Sequence, residues 1–313
     1  MSDPHPIRKV AIIGTGVIGA SWAALFLSKG LDVTATDVAP GAEGRLRAFV
    51  EQCWPALEEL GLAPGASQNN LVFEPKLEAA VAGADLVQEN GPERIDFKRE
   101  LYAKLDELLP ASCLIASSSS GLTMSEIQKA CKAHPERCFI GHPFNPPHLI
   151  PLVELVGGAQ TSSETLDRAA AFYDSLGKRT VRLKKEVPGH VANRLAAALL
   201  REVMYLVDDD VISVGDVDAA VAYGPGLRWG VMGPMMLYHL GGGAGGIDHW
   251  FDQFTGPITA WWSVLGNPRI TPELRAKVTA GVMDEVADRS IGLLEAQRDR
   301  ELLGLLKVRT AAA

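Results

Sequence analysis

The chain has 313 residues and a net charge of −8, and 47% of its residues are hydrophobic. This length favours about two domains, each large enough to bury a core. The acidic balance, with no Lys/Arg-rich run, argues against nucleic acid or an anionic membrane surface as a partner.

The four cysteines, Cys53, Cys113, Cys131 and Cys138, form no C-x-x-C pair and have no zinc spacing. We expect reduced thiols in a cytoplasmic protein and no metal site. Residues 10–28 carry no charge and could be mistaken for a signal peptide or a membrane span. Three glycines interrupt this run, so we interpret it as part of a soluble domain.

The first half of the chain alternates short apolar runs with helical segments. The runs "KVAIIG", "LDVTATD", "ADLVQEN" and "CLIASSSS" predict strands. Between the last two, Ile95, Leu101, Leu105 and Leu108 recur at helical spacing. Capping signals at Thr123–Glu126, Thr161–Glu164 and Thr271–Pro272 predict helix starts. This alternation predicts βαβ units and a parallel sheet.

The pattern changes near "KKEVPGH", residues 184–190. Beyond it, "VANRLAAALLREVMYLVDDD" predicts one long helix, and shorter helical segments follow. We therefore predict an α/β doubly wound sheet over residues 1–186 and an all-α domain over residues 187–313.

The motif "GTGVIG" places Gly14, Gly16 and Gly19 between a strand and a helix. In a dinucleotide-binding turn these glycines allow the tight turn, the approach of the pyrophosphate and the packing of helix on strand. Asp37 ends the next strand, where an acid binds both ribose hydroxyls of NAD and repels the 2′-phosphate of NADP. NAD is the expected cofactor, although Arg45 and Arg47 follow closely in sequence.

His142, in "GHPFNP", and Glu154, in "PLVELV", are candidate catalytic residues. A dehydrogenase that oxidises an alcohol needs a base for the hydroxyl proton, and a carboxylate best orients a histidine base. Glu154 is costly to bury without a partner, and His142 is the obvious one.

Two further polar residues are expected near this pair. Ser120 lies at a strand end where ligands bind in this fold, and Asn193 lies at the start of the long helix. Four other histidines are expected in loops, on the surface or in the core: His148, His190, His239 and His249.

The motifs "GTGVIG", "SSSSGL", "GHPFNP", "PLVELV" and "PGHVANRL" resemble, in this order, the 3-hydroxyacyl-CoA dehydrogenase superfamily. The resemblance implies an NAD-binding Rossmann domain followed by a helical substrate and dimerisation domain. It implies His142 as base, Glu154 as its orienting group, and Ser120 and Asn193 as contacts of the substrate oxygen. Glu93, in "QENGPER", is a further expected cofactor-binding residue.

Finer motifs indicate one branch of this superfamily. "QENGPER" and "GPGLRW" are similar to the branch of L-carnitine dehydrogenase and L-gulonate 3-dehydrogenase, also known as lambda-crystallin. "WPALEELGLAPGA" is more similar to the carnitine enzymes, and "VMGPMMLYHL" to the gulonate enzymes. The resemblance therefore implies a homodimeric oxidoreductase that converts a small L-3-hydroxy acid to its 3-keto acid, with L-carnitine first, then L-gulonate or a short 3-hydroxy acid.

Three observations bear on the substrate. Residues 41–75 contain two arginines, no lysine and five glutamates, which disfavours the phosphates of CoA. Arg228, with Trp229 beside it, is a candidate clamp for a free carboxylate, as is Arg94. Four of the six tryptophans lie between residues 229 and 262, a pattern typical of helix packing, of a dimer interface, or of an aromatic cage for quaternary ammonium.

Two alternative functions remain at this stage. One is a short-chain L-3-hydroxyacyl-CoA dehydrogenase. The other is a non-catalytic, crystallin-like NAD-binding protein.

Overall fold

The computed structural model describes residues 6–311. Contacts between Cα atoms divide the chain into two compact units, Met1–Arg194 and Leu195–Ala313.

The first unit is built on a single mostly parallel sheet. Over the described residues its strands are β1 Lys9–Ile13, β2 Asp32–Thr36, β3 Leu71–Phe73, β4 Leu86–Glu89, β5 Leu114–Ser117, β6 Cys138–Pro143, β7 Leu152–Gly157 and β8 Arg179–Arg182. Their order is β3-β2-β1-β4-β5-β6-β7-β8, and every neighbouring pair is parallel except β6 and β7. The carboxyl ends of β1, β4 and β5 therefore meet at one edge, where ligands bind in such sheets.

Helices cover both faces of the sheet. They are α1 Val17–Ser28, α2 Ala42–Leu60, α3 Leu77–Ala80, α4 Ile95–Leu108, α5 Met124–Ile127 and α6 Ser163–Ser175. One buried core joins α1, α2 and α6 to the sheet, and a second joins α4 and α5 to the opposite face. This architecture confirms the predicted doubly wound α/β fold, in which helices bury both faces of a parallel sheet.

The remaining elements are helical, as predicted. They are α7 Ala192–Asp208, α8 Val214–Tyr223, α9 Pro225–Trp229, α10 Pro234–Gly241, α11 Gly246–Trp262, α12 Pro272–Val286 and α13 Ile291–Ala311. The predicted long helix is α7. Among residues 6–311, no helix combines the length and the apolar character that crossing a membrane would need.

The predicted helix starts have different outcomes. Thr271 caps α12 by accepting a hydrogen bond from the Leu274 N–H, as expected. At α6 the capping side chain is Ser162 rather than Thr161, because Ser162 accepts from the Thr165 N–H. Thr123 precedes α5 without a side-chain cap, so the predicted capping box is wrong there.

A buried lysine donates hydrogen bonds to the loop that follows β6. The Lys178 Nζ donates to the carbonyl oxygens of Pro147 and Ile150, the latter at 2.9 Å, and lies 5.4 Å from the ring centroid of Trp22. Burial, with some repulsion from Lys29, lowers the pKa of Lys178 to about 7. An amine that is neutral above this pH still has two N–H groups for the two carbonyls.

We expect this lysine to give the protein a pH-dependent stability. In the unfolded chain Lys178 keeps a pKa near 10.5, so the unfolded state binds more protons between about pH 7 and 10.5. Raising the pH through this window therefore increases the free energy of unfolding, here on the order of 3 kcal/mol between about pH 7.5 and 10. Urea denaturation at several pH values should show this increase relative to Lys178→Met, and parallel pH curves for the two proteins would contradict it.

Candidate active site

The glycine-rich turn between β1 and α1 leaves its backbone open. Gly14 has φ 82°, and a Cβ at Gly19 would lie 1.9 Å from the Gly14 carbonyl oxygen. A Cβ at Gly16 would instead meet open space, and α1 begins there with no side-chain cap and no acid in its first turn. The first N–H groups of α1 thus face outward and are able to bind a pyrophosphate.

A cleft of about 560 Å³ adjoins this turn, a volume in the usual range for a cofactor site. The residues that line it include Gly14, Gly16, Asp37, Val38, Leu77 and Phe97. The cleft combines apolar walls with the backbone of the turn, the ion pair of Glu100 and Lys104, and one further carboxylate.

Asp37 supplies that carboxylate. Its Oδ2 accepts from the Thr15 N–H at 2.6 Å and the Thr15 hydroxyl at 2.9 Å, and its Oδ1 accepts from the Ala39 N–H at 2.8 Å. Burial raises the pKa of Asp37, but these hydrogen bonds outweigh it and hold the pKa below its ordinary value. The carboxylate therefore stays ionised, with lone pairs left for a ribose diol.

The two nearby arginines are engaged elsewhere. Arg45 donates to the Pro40 carbonyl oxygen, and Arg47 pairs with Glu43 at 2.9 Å. Neither contact leaves a ready site for a 2′-phosphate, so the residues of the cleft fit NAD.

We expect Gly19→Ala to weaken NADH binding by about 10- to 100-fold, since relieving an overpacked contact of this kind costs about 1–3 kcal/mol. The added Cβ would overlap the Gly14 carbonyl and displace the turn. Fluorescence titration with NADH measures the effect. Gly44→Ala, on α2 with open space around the added Cβ, is the matched control; equal affinities for the two variants would contradict the prediction.

His142 and Glu154 face each other across the antiparallel pair β6 and β7, where they are direct register partners. The His142 Nδ1 lies 2.9 Å from the Glu154 Oε2, with side-chain exposures of 7% and 2%. The other oxygen, Oε1, accepts from the N–H groups of Val191 at 2.8 Å and Ala192 at 3.0 Å. Burial raises the pKa of Glu154, but the bonds from His142, Ala192 and Val191 outweigh it and lower the pKa below its ordinary value.

This ionised carboxylate decides where the proton of His142 lies. A carboxylate only accepts, so the proton is on Nδ1 and the lone pair is on Nε2. A base so oriented needs a pocket on its Nε2 side. Such a pocket, of about 290 Å³, is lined by His142, Ser120 and Asn193 together with Ile18, Ser118, Phe144 and Asn145.

The structure thus brings together Ser120, His142 and Asn193 at one pocket, with Glu154 behind the histidine. Five of the lining residues have no counterpart in the sequence expectations, namely Ile18, Ser118, Pro143, Phe144 and Asn145. Phe144 and Asn145 directly follow His142-Pro143 along the chain, so adjacency to the histidine was the available signal.

Glu93 contacts the turn that carries Ser120. Its Oε1 accepts from the Ser119 hydroxyl at 2.6 Å and from the N–H groups of Gly121 at 2.7 Å and Leu122 at 3.1 Å. Burial raises the pKa of Glu93, but these bonds, helped by the charge of Lys98, outweigh it and lower the pKa. Glu93 therefore holds the serine turn in place.

A buried ion pair lies next to this turn, at the end of β5. Glu89 is fully buried, and its two carboxylate oxygens each accept a hydrogen bond from the Lys98 Nζ at 2.9 Å. Its Oε2 also accepts from the Ser117 hydroxyl at 2.7 Å. Because every partner is hydrogen-bonded, the pair fixes the end of β5 with little freedom to move.

His190 was expected to be an ordinary loop, surface or core histidine, and the structure places it beside His142. The two ring centroids are 4.9 Å apart at an interplanar angle of 52°. The residue has φ 48°, a left-handed conformation that costs a non-glycine residue about 1–2 kcal/mol. No sequence signal identified this contact beyond the preceding Pro188-Gly189.

Arg228 and Trp229 lie on α9, in the second unit, where both are exposed. Four other aromatic residues of this unit pack on one another: the ring centroid of Trp250 lies 4.6 Å from Tyr238, 5.4 Å from Phe251 and 5.6 Å from Phe254. These contacts pack α10, which carries Tyr238, against α11, which carries the other three rings.

Two protein-family models match the chain. The model "3-hydroxyacyl-CoA dehydrogenase, NAD binding domain" matches residues 9–187, and "3-hydroxyacyl-CoA dehydrogenase, C-terminal domain" matches residues 189–285. The first match and the fit of the cleft agree on NAD as the cofactor.

Similar proteins match over nearly the whole chain. An L-carnitine dehydrogenase from Streptomyces griseus is 49% identical over 97% of this chain and 90% of its own length. Another from Pseudomonas putida is 46% identical over 96% of this chain and 94% of its own length. A solved structure of 5-formyl-3-hydroxy-2-methylpyridine-4-carboxylic acid 5-dehydrogenase, described as an NAD+-dependent dismutase, has 34% identity and a TM-score of 0.84, and the match covers 97% of this chain and 99% of that one.

Proposed function

Because the chain belongs to the 3-hydroxyacyl-CoA dehydrogenase family, we propose that this NAD-dependent oxidoreductase oxidises the 3-hydroxyl group of a small L-3-hydroxy acid, with L-carnitine as the substrate. The observation that carries the proposal is the His142–Glu154 pair, whose free Nε2 faces a small polar pocket. L-Carnitine is favoured because the full-length curated relatives at 45–49% identity bear that name.

In this proposal His142 is the general base. Bound NAD would supply the hydride acceptor for the carbon that bears the hydroxyl group. The Nε2 of His142 takes the hydroxyl proton, and the resulting imidazolium is stabilised by Glu154 at 2.9 Å. Ser120 and Asn193, on the same pocket, hold the substrate oxygen with hydrogen bonds.

The cofactor is held by residues of the first unit. Gly14, Gly16 and Gly19 accommodate the pyrophosphate at the start of α1, and Asp37 binds the ribose hydroxyls. We propose that Glu93 contributes to cofactor binding by holding the Ser119–Leu122 turn in place through its hydrogen bonds.

The free acid is preferred to a CoA thioester on grounds of charge. Residues 41–75, which include α2, carry two arginines, no lysine and five glutamates. A triphosphorylated ligand prefers cationic surroundings. Arg228 is proposed to bind the substrate carboxylate, and Trp229 to contact the ammonium group, since an exposed indole face attracts a cation.

We further propose residues 1–186 as the NAD-binding domain, residues 187–313 as the substrate and dimerisation domain, and the cytoplasm as the location. The homodimer is supported by the number of large apolar side chains that the second unit exposes, Trp261 at 58% and Trp262 at 68% among them. Patches of this kind mark protein–protein contacts.

NADH formation by the purified protein with NAD tests the proposal across four substrates: L-carnitine, L-gulonate, L-3-hydroxybutyrate and L-3-hydroxybutyryl-CoA. Selective turnover of L-carnitine is expected. Turnover of the CoA thioester alone would contradict the proposal and indicate a short-chain L-3-hydroxyacyl-CoA dehydrogenase. Tight NADH binding without turnover of any of them would favour the crystallin-like role.

A further inference from the structure

His190 joins the elements of the proposed site through its backbone. Its φ of 48° follows that of Gly189 at 76°, so two successive residues are left-handed. Residues 188–191 form a turn, and successive N–H groups of a turn can converge on one anion. Here those groups belong to Val191 and Ala192, and both bind the Glu154 Oε1 at 2.8 and 3.0 Å. The left-handed backbone therefore fixes the carboxylate that orients His142.

The side chain of His190 is also held in place, by a hydrogen bond and by burial. Its Nε2 lies 2.9 Å from the carbonyl oxygen of Ser119, and a carbonyl only accepts, so Nε2 carries the proton. The ring is 2% exposed, and Nδ1 has no hydrogen-bond partner among the described residues.

A strained backbone and an unpaired buried nitrogen are two unfavourable features in one residue. Such features persist where the surrounding structure uses them, and they concentrate at functional sites. A use for them is the contact with His142: the His190 ring packs against the His142 ring at 4.9 Å between centroids and 52° between ring planes.

We propose that His190 is a positioning residue for the base: its ring holds the His142 ring with Nε2 toward the pocket, and its backbone holds Glu154. This inference deepens the proposed function and rests on it. The substrate does not contact His190 in this mechanism. The residue acts through the His142 ring and through the backbone N–H groups that bind Glu154.

Two variants separate the ring from the backbone. His190→Gly accepts the left-handed conformation without strain but removes the ring, whereas His190→Phe keeps a ring of similar size and removes the Nε2–H bond. We expect kcat to fall by about 30-fold or more in His190→Gly, because small displacements of a catalytic group cost up to about 100-fold. We expect His190→Phe to retain kcat within about 3-fold, and KM for the hydroxy acid and NADH affinity to change by less than about 3-fold in both.

Wild-type kcat in His190→Gly would overturn the inference, and so would equally low kcat in both variants, since the ring would then not matter. Loss of NADH binding together with kcat in His190→Gly would also overturn it, because it would show a general structural role. A wild-type protein that oxidises no hydroxy acid would refute the proposed function instead.

A second readout needs no substrate. Diethyl pyrocarbonate modifies imidazole nitrogens, and peptide mass spectrometry follows the rate at His142. We expect this rate to rise by about 3-fold or more in His190→Gly, where one side of His142 loses its cover, and to stay near wild type in His190→Phe. Equal rates in all three proteins would overturn the inference whatever the substrate.

Discussion

Replacing His142 by glutamine is expected to lower kcat for NADH formation by about 10³-fold, within the range of 10²–10⁴ that general-base catalysis contributes. The reason lies in the fixed tautomer. The Glu154 carboxylate keeps the proton on Nδ1 at 2.9 Å, so Nε2 is free to take the hydroxyl proton. Glutamine retains polarity and most of the volume but has no group that is basic near neutral pH. Steady-state kinetics with the substrate identified for the wild-type protein measures the loss.

The chain supplies its own control for this variant. His134 pairs with Glu136 at 3.1 Å on the surface, where the side chains are 42% and 45% exposed. His134→Gln removes a histidine from an equivalent pair outside the pocket and should leave kcat unchanged. His142→Gln should still bind NADH with wild-type affinity, since His142 does not line the cofactor cleft. A kcat that is unaffected in His142→Gln would remove His142 from the chemistry.

The sheet was predictable because parallel strands buried on both faces are continuous apolar runs. "KVAIIG" and "LDVTATD" contain β1 and β2, and Gly14, between β1 and α1, has the positive φ that favours glycine. Short edge strands are harder to recognise. β3 and β8 have three and four residues, too few for a periodic pattern to stand out.

The pairing of His142 with Glu154 was also within reach of sequence reasoning. A glutamate among apolar neighbours needs a partner, and His142, after a strand-like run, was the obvious candidate. The register itself was not predictable, since it depends on β6 and β7 running antiparallel in a sheet whose other pairs are parallel.

Contacts made by loops could not be predicted from the sequence. Neither the neighbourhood of His190 and His142 nor the bonds from Glu93 to the Ser119–Leu122 turn follow from periodicity. Both depend on backbone turns that bring distant segments together. The capping residue of α6 shows the same limit on a small scale, because Thr161 and Ser162 are adjacent residues with similar propensity and only the backbone geometry selects Ser162.

Replacing Glu154 by glutamine is expected to lower kcat by about 10²-fold or more, although the two side chains have the same shape. In the wild-type protein both carboxylate oxygens of Glu154 accept hydrogen bonds. Oε1 accepts from the Val191 and Ala192 N–H groups, and Oε2 accepts from the His142 Nδ1–H. An amide has one oxygen and one NH₂ group, so either orientation places a donor against a donor. If the oxygen stays on the backbone side, the NH₂ group faces Nδ1 and favours the tautomer with the proton on Nε2. The base is then protonated at the atom that must accept the substrate proton, as in other enzymes that lose the carboxylate partner of a histidine base.

If instead the oxygen turns to His142, the NH₂ group meets two backbone donors in a buried position, and unpaired buried donors cost about 1–3 kcal/mol each. We therefore expect Glu154→Gln to combine a large fall in kcat with a lower free energy of unfolding in urea. Its control is Glu136→Gln in the surface pair with His134, which is expected to change neither quantity, since exposed pairs contribute about 0–1 kcal/mol. The KM for the hydroxy acid should change little, because Glu154 does not line the pocket. A Glu154→Gln variant with wild-type kcat would show that the carboxylate neither orients nor stabilises His142 during the reaction.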